Sequence, residues 1–350
     1  MKTPAIEPVR IGDKLVGPGC PVFIVAEMSA NHGQDFDRAV EIVRAAKRAG
    51  ADAVKVQTYT PDTLTIDADR PEFRHDPGSL WEGKTLYELY QEAYMPWDWQ
   101  PKLKALAEDL GLIFFSTAYD PTSVDFLAKL DVPAIKISSF ELVDTPLIEY
   151  AAGVGKPLII STGMGTLDEI EEAVAAAHRG GCRELILLKC TSAYPAPPGE
   201  MNLRTIPALS QRFRCPVGLS DHSTSTLAAI AGTTLGSCLL EKHVTLEKGK
   251  GIDGGFSLDP AELGATVSAV RETEAALGAA RFEATESERQ SLRFRRSLWV
   301  VQPVRAGDPI TPENVRSIRP SGGLPPSEWE QQKGKPFRTS CAGPMPLREA

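Results

Sequence analysis

The chain has 350 residues, 42% hydrophobic and 24% charged, and its 38 basic and 46 acidic residues give a net charge of −8. Such a length and composition fit a soluble globular protein with one large domain and a small one, whose core needs no staples. The acidic balance excludes a sequence-independent nucleic-acid binder, which requires a basic face, but not phosphate ligands held at a locally positive site.

Residues 1–8 contain no apolar signal core, and no apolar run approaches the length of a membrane span, so no membrane association is expected. Residues 10–19 read as a hairpin (domain span 1–20) that plugs one end of the large domain. From there to residue 278, eight short apolar runs alternate with helix-like segments. The runs are residues 22–26, 53–56, 112–115, 134–137, 158–160, 185–188, 217–219 and 238–240. Helices are predicted over 35–49, 97–110, 122–130, 146–152, 167–179, 203–213, 227–235 and 259–277. Several of these are followed by glycine (Gly50, Gly111, Gly180, Gly278), a common helix stop. Continuous apolar strands are those buried on both faces. Eight strand–helix units in roughly 250 residues predict a closed (β/α)8 TIM barrel over 21–278, with an open doubly wound sheet as the alternative.

Two segments depart from that rhythm. The connection 60–96, carrying Trp81, Tyr87, Tyr90 and Tyr94, is far longer than a usual strand-to-helix loop. It is either a packed surface excursion or a cover over the substrate. After Gly278 the pattern changes: 279–296 reads as a charged linker with helical potential, and 297–350 as a small β-rich domain. That domain has a strand at 298–301, a turn at 306–310, a helix start at 311–315 and a weak echo at 342–347.

The six cysteines, Cys20, Cys182, Cys190, Cys215, Cys238 and Cys341, form no Cys-x-x-Cys pair and read as reduced, hence cytoplasmic.

The apolar runs end in polar residues, and eight such ends imply one shared mouth. His222 and His243 follow strands seven and eight, which are neighbours in a barrel. They read either as a divalent-metal pair that leaves coordination positions open or as two unrelated polar histidines. Lys55 and Lys136 lie inside apolar strands, where a lysine is rare unless paired or functional. Schiff-base chemistry is one use. With the hydroxyls of Thr117, Ser139, Ser161, Ser192 and Ser220, binding of a carboxylate with a phosphate is the favoured one. Structural pairing with Glu27 or Glu141 can coexist with either. Glu27 and Glu141 are candidate bases or water-orienting groups. Asp253, in the Gly-rich loop after strand eight, reads as a contact to a metal-bound water, to a sugar hydroxyl, or as a plain loop aspartate.

Particular stretches carry a resemblance. They are Ala26-Glu27, Asn31-His32-Gly33, Val54-Lys55-Val56-Gln57, Lys136-Ile137-Ser138-Ser139-Phe140-Glu141, Ser161-Thr162-Gly163-Met164, Lys189-Cys190-Thr191-Ser192-Ala193-Tyr194-Pro195, Gly218-Leu219-Ser220-Asp221-His222 and Glu241-Lys242-His243. Together they resemble the sialic acid synthase family, and residues 57–65, 80–90 and 92–99 are most similar to its pseudaminic acid branch. The C-terminal segment resembles the antifreeze-like (SAF) domain.

This resemblance implies a metal-dependent condensation of phosphoenolpyruvate with an N-acetylated sugar aldehyde. His222 and His243 would hold Mn2+, Mg2+ or Co2+. Lys55, Thr117, Lys136, Ser139, Ser161, Ser192 and Ser220 would bind phosphoenolpyruvate, with Gln57 also among the substrate-binding residues. Glu27 would serve near the reacting carbons, Glu141 and Tyr194 near the sugar, and Asp253 near the metal. Arg319, in Ser317-Ile318-Arg319-Pro320, matches an arginine that reaches into a partner's barrel, which implies a domain-swapped homodimer. Where the family often has Asn-His-Asn-Gly, this chain has Asn31-His32-Gly33-Gln34, and His32 receives no role.

Overall fold

The computed structural model describes residues 5–76 and 78–348, so residues 1–4, Pro77 and residues 349–350 lie outside the described residues. Two compact units are present, Met1–Gly278 and Ala279–Ala350.

The first unit is a closed parallel barrel whose eight strands pair in sequence order. They are β1 (Phe23–Glu27), β2 (Ala53–Thr58), β3 (Ile113–Ala118), β4 (Ile135–Ile137), β5 (Leu158–Ser161), β6 (Leu185–Cys190), β7 (Val217–Asp221) and β8 (Leu239–His243). β8 pairs with both β7 and β1, which closes the ring. The continuous apolar pattern follows from burial on both faces, since Val25, Val54, Ile135, Ile160, Leu187 and Leu239 are fully buried between lumen and helices. Helix starts are set by side-chain caps: Asp35, Asp120, Asp144, Thr166 and Asp259 each accept backbone N–H bonds in the first turn.

Several strands run farther than their apolar runs. The β2–β3 ladder continues through Val56–Ser116, Gln57–Thr117 and Thr58–Ala118, and the β7–β8 ladder through Lys242–Asp221. Polar residues belong inside these strands because alternate side chains enter the mouth or the helix layer, while the backbone goes on pairing.

At the amino-terminal ends of the strands lies a hairpin of strands Val9–Ile11 and Lys14–Val16. Lys14 is paired with Asp52, and the Arg10 N–H donates to Glu184. The long connection contains short helices Pro61–Leu64 and Leu86–Ala93.

The second unit has a three-stranded antiparallel sheet of Val315–Ile318, Ser297–Val300 and Met345–Pro346. It encloses Leu298, Val300, Val304, Ile310, Val315, Phe337 and Leu347. Residues 312–314 form a turn leading into Val315–Ile318, where the sequence pattern predicts a helix start. The Val315 N–H closes one turn on the Thr311 carbonyl at 3.0 Å, and strand pairing of Val315–Ile318 with Ser297–Val300 stops it there. Among the described residues, no helix is long and apolar enough to cross a membrane, and all six cysteines are free.

Candidate active site

A cavity of about 450 Å³ opens at the carboxy-terminal ends of the strands. Lys55, Gln57, Thr117, Lys136, Ser139, Glu141, Ser161, Ser192, Tyr194, Ser220, His222, His243 and Asp253 all line it. Residues from Lys55 to Asp253 thus converge on one place, as strand ends of a closed barrel do.

Glu27, alone among the candidates of the first unit, does not line the cavity. It is fully buried beneath it, with Oε2 2.7 Å from Lys55 Nζ and Oε1 accepting from Gln57 Nε2 at 3.1 Å. Glu27 ends β1 in register with Lys55 and His243, and its carboxylate is engaged by two residues of the cavity wall. Arg319 lies in the second unit, where its side chain is exposed.

The two lysines differ in their surroundings. Lys55 sits between Glu27 and Glu241 (3.5 Å) and donates to Thr117 Oγ1 at 2.9 Å. Burial acts to lower its pKa, but the two carboxylates outweigh it and hold it above the usual lysine range. Lys136 is equally buried and has no ion-pair partner among the described residues. Burial pushes its pKa down, opposed by the more distant Glu241. A buried cation without a counter-charge is costly, and an anionic ligand would remove that cost.

Hydroxyls complete this side of the cavity. Ser139 Oγ and Ser192 Oγ are 2.9 Å apart, while the buried Ser161 Oγ has no partner. Gly163, at φ +45°, passes so close that a Cβ there would lie 2.3 Å from that of Ser139, so only glycine lets the β5 loop seat against the serines.

On the opposite side, the His222 and His243 rings lie 5.2 Å apart, with Phe256 and Tyr194 packed around them. His222 Nδ1 lies 2.9 Å from the Thr191 carbonyl, which leaves Nε2 for other use. His243 Nδ1 is buried without a partner. Burial depresses both pKa values, His243 the more strongly because His222 and Lys55 add to the effect. Neutral, partly unpartnered imidazoles are the donor set a divalent cation takes, so the pair fits one. Among the described residues no third His, Cys, Asp or Glu completes a metal cluster with them, so water or substrate would supply the remaining positions.

Glu141 is held by Ser138, and Asp253 by Ser29 and the Ala30 N–H. Burial raises both their pKa values. The connection 60–96 does cover the cavity: Leu64, His75, Trp81, Leu86, Leu89 and Tyr90 all line it. Tyr87 instead bonds Asp62 at the surface, and Tyr94 is not in the wall.

One residue without a role in the sequence reading emerges as central. Glu241 lines the cavity, accepts from Ser220 Oγ at 3.2 Å and faces Lys55. Burial acts to raise its pKa, but Lys55 and Lys136 prevail and hold it below the usual range, so it is ionised. Its signal in the sequence is its position two residues before His243, which puts both on one face of a strand. Tyr59 and Tyr119, just beyond β2 and β3, also line the cavity and stack edge-on at 5.2 Å.

Comparison with known proteins identifies the family. The NeuB family model matches residues 42–282, and a SAF domain model matches residues 295–340. The chain is 41% identical over 315 residues to pseudaminic acid synthase of Campylobacter jejuni subsp. jejuni serotype O:23/36, covering 90% of this chain and 92% of that one. It is 36% identical to N,N'-diacetyllegionaminic acid synthase of Legionella pneumophila over 91% and 90% of the two chains. The crystal structure of N-acetylneuraminic acid synthetase from Leptospira borgpetersenii superposes with a TM-score of 0.73 at 29% identity, covering 83% of this chain and 96% of that one. The barrel, the converging strand ends and these likenesses agree: the chain belongs to the NeuB family of nonulosonic acid synthases and carries a SAF domain.

Proposed function

We propose that this protein condenses phosphoenolpyruvate with 2,4-diacetamido-2,4,6-trideoxy-L-altrose and water, giving pseudaminic acid and phosphate. The observation that carries the condensation is Lys136, a buried lysine with no ion-pair partner among the described residues, facing Lys55, a set of hydroxyls and a histidine pair across one cavity. The sugar choice rests on the higher identity to pseudaminic than to legionaminic acid synthases, 41% against 36%.

In this reading Lys136, Ser139, Ser161 and Ser192 hold the phosphate and carboxylate of phosphoenolpyruvate, with Lys55, Thr117 and Ser220 alongside. His222 and His243 would hold a divalent cation (Mn2+, Mg2+ or Co2+), which when bound supplies Lewis-acid polarisation of the sugar aldehyde. Tyr194, Glu141 and Asp253 orient the sugar so that its aldehyde carbon meets C3 of phosphoenolpyruvate. The C3–C1 bond forms, the aldehyde oxygen takes a proton, and cationic character develops at C2. Water adds at C2 and gives up a proton. The C2–O bond to phosphate then breaks as the C2 hydroxyl gives its remaining proton to the departing phosphate, leaving the 2-keto acid. Ionised Glu241 and the cavity hydroxyls favour the cationic stage, while the lysines stabilise the departing phosphate. Glu27 acts from below by fixing Lys55 and Gln57.

Arg319 and the SAF domain belong to the same proposal, as a contribution from a second copy in a domain-swapped homodimer. Mixing an Arg319→Ala chain with a His243→Ala chain should restore activity to part of the dimers.

Phosphate release measured with 2,4-diacetamido-2,4,6-trideoxy-L-altrose and with N-acetylmannosamine tests the sugar. Preference for N-acetylmannosamine, or for the legionaminic acid precursor, would replace the proposed substrate while leaving the condensation intact. Borohydride trapping of pyruvate on Lys136 would instead reveal a Schiff-base aldolase and overturn it.

A further inference from the structure

One residue before each cavity histidine lies a charge that the reaction does not use. Lys242 is fully buried, yet it lines no part of the cavity. Its Nζ is 2.9 Å from Asp221 Oδ2 and also contacts the Ser223 carbonyl. Asp221 Oδ1 in turn accepts from the Ser223 N–H at 2.9 Å. Register places Lys242 directly opposite Asp221, and Glu241 opposite Ser220. Strand alternation sends Glu241 and His243 to the cavity and Lys242 to the other face.

Stability does not explain this arrangement. A buried ion pair does little better than two packed apolar side chains, and often worse, because both charges lose their water. An apolar pair would suit a layer between barrel and helices as well. What the ion pair adds is geometry. Three contacts, from Lys242 to Asp221, from Lys242 to the Ser223 carbonyl and from Ser223 to Asp221, close a ring around the backbone that carries His222. The ring ties that backbone to the strand that carries His243. The bond between His222 Nδ1 and the Thr191 carbonyl then fixes the imidazole plane.

We propose that Lys242 and Asp221 are positioning residues, a clamp behind the cavity that sets the spacing of His222 and His243. This rests on the reading that the two histidines hold a divalent cation. Groups that orient metal ligands without touching the metal commonly govern affinity in this way.

The test is Mn2+ binding to the full chain by isothermal titration calorimetry, alongside thermal unfolding. Wild type should bind, and His243→Ala should not. The neutral double variant Asp221→Asn with Lys242→Met should unfold close to the wild-type temperature but bind Mn2+ about ten-fold more weakly. A merely structural role would move the unfolding temperature and leave the dissociation constant unchanged, and that result overturns the clamp. Should the double variant not fold, Asp221→Asn alone decides the matter, because it keeps the shape and the Ser223 bond while removing the charge. An unchanged Mn2+ affinity in it also overturns the proposal. If His243→Ala binds Mn2+ as wild type does, the metal reading itself fails, and the clamp falls for that separate reason.

Discussion

The two ends of the barrel bury charge in opposite ways. At the amino-terminal end every partner is supplied by the protein. Asp52 receives Lys14, Arg271 (3.1 Å) and the Ile24 N–H (2.8 Å), while Arg271 also bonds Glu274 and the Val22 carbonyl. At the carboxy-terminal end the network is left open: Lys136 has no ion-pair partner, and Ser161 Oγ and His243 Nδ1 have no hydrogen-bond partner, among the described residues. A protein built only for stability would close such groups. On the proposed function the open end is where ligand atoms complete the network, whereas at the other end Asp52 finds its partners within the chain, two of them partly exposed cations.

The sharpest way to break this contrast is to exchange what each end loses. Lys136→Met removes the uncompensated cation, so the fold should keep its stability or gain some. Turnover with phosphoenolpyruvate should fall by roughly a thousand-fold, the scale of losing a preorganised electrostatic contact. Steady-state phosphate release together with thermal unfolding measures both quantities. A large loss of stability with activity retained would mean that Lys136 is structural. Asp52→Asn at the other end should do the reverse. It weakens the contacts to Lys14 and Arg271, costing about 1 kcal/mol in denaturant unfolding, because both cations are partly exposed and Arg271 keeps Glu274 and the Val22 carbonyl. Both KM values should stay within about two-fold of wild type, as no ligand group lies there.

How far this contrast can be read from the sequence alone depends on the residue. The strand count and the convergence of Lys55, Lys136, Ser161, His222 and His243 follow from apolar runs that end in polar residues, because a closed parallel barrel has one carboxy-terminal face. The partners of those residues do not follow. By sequence Lys55 can be matched with Glu27 or Glu141, and only the β8–β1–β2 register brings Glu241 and Glu27 to it. Glu241 and Lys242 are adjacent charges in one tripeptide, and strand alternation from His243 puts Glu241 in the lumen, but only the structure shows that it reaches Lys55 and Ser220. The strand pattern puts Glu27 at the mouth, and it does end β1 in register with Lys55 and His243, but that its side chain turns to Lys55 and Gln57 is not legible in the sequence. The helix start predicted at 311–315 gives way to strand pairing.

A smaller effect should appear on the cover. Trp81 donates from Nε1 to the Ile252 carbonyl at 3.2 Å and lies against Tyr194, so it joins the long connection to the loop after β8. Trp81→Ala should raise KM for the sugar about ten-fold, the scale of losing one aromatic contact, and leave KM for phosphoenolpyruvate nearly unchanged. Equal changes in both constants would show that the cover acts on the whole cavity rather than on its sugar side.

The subtlest test is pH. Burial holds the Lys136 pKa below the usual lysine range in the free enzyme. As pH rises through that lowered value the cation is lost, so kcat/KM for phosphoenolpyruvate should fall on an alkaline limb that starts earlier than an ordinary lysine allows. Once phosphoenolpyruvate is bound, its negative charge favours protonated Lys136 and drives the pKa back up. Because kcat/KM reports the free enzyme and kcat the complex, the limb should be clear in the first and shifted to higher pH in the second. Lys136→Arg discriminates further, since a guanidinium keeps its charge throughout this range and should erase the limb even where tighter packing lowers the rate. If the limb survives in Lys136→Arg, the titrating group is another one, and the uncompensated cation at the open end is not what recruits the substrate.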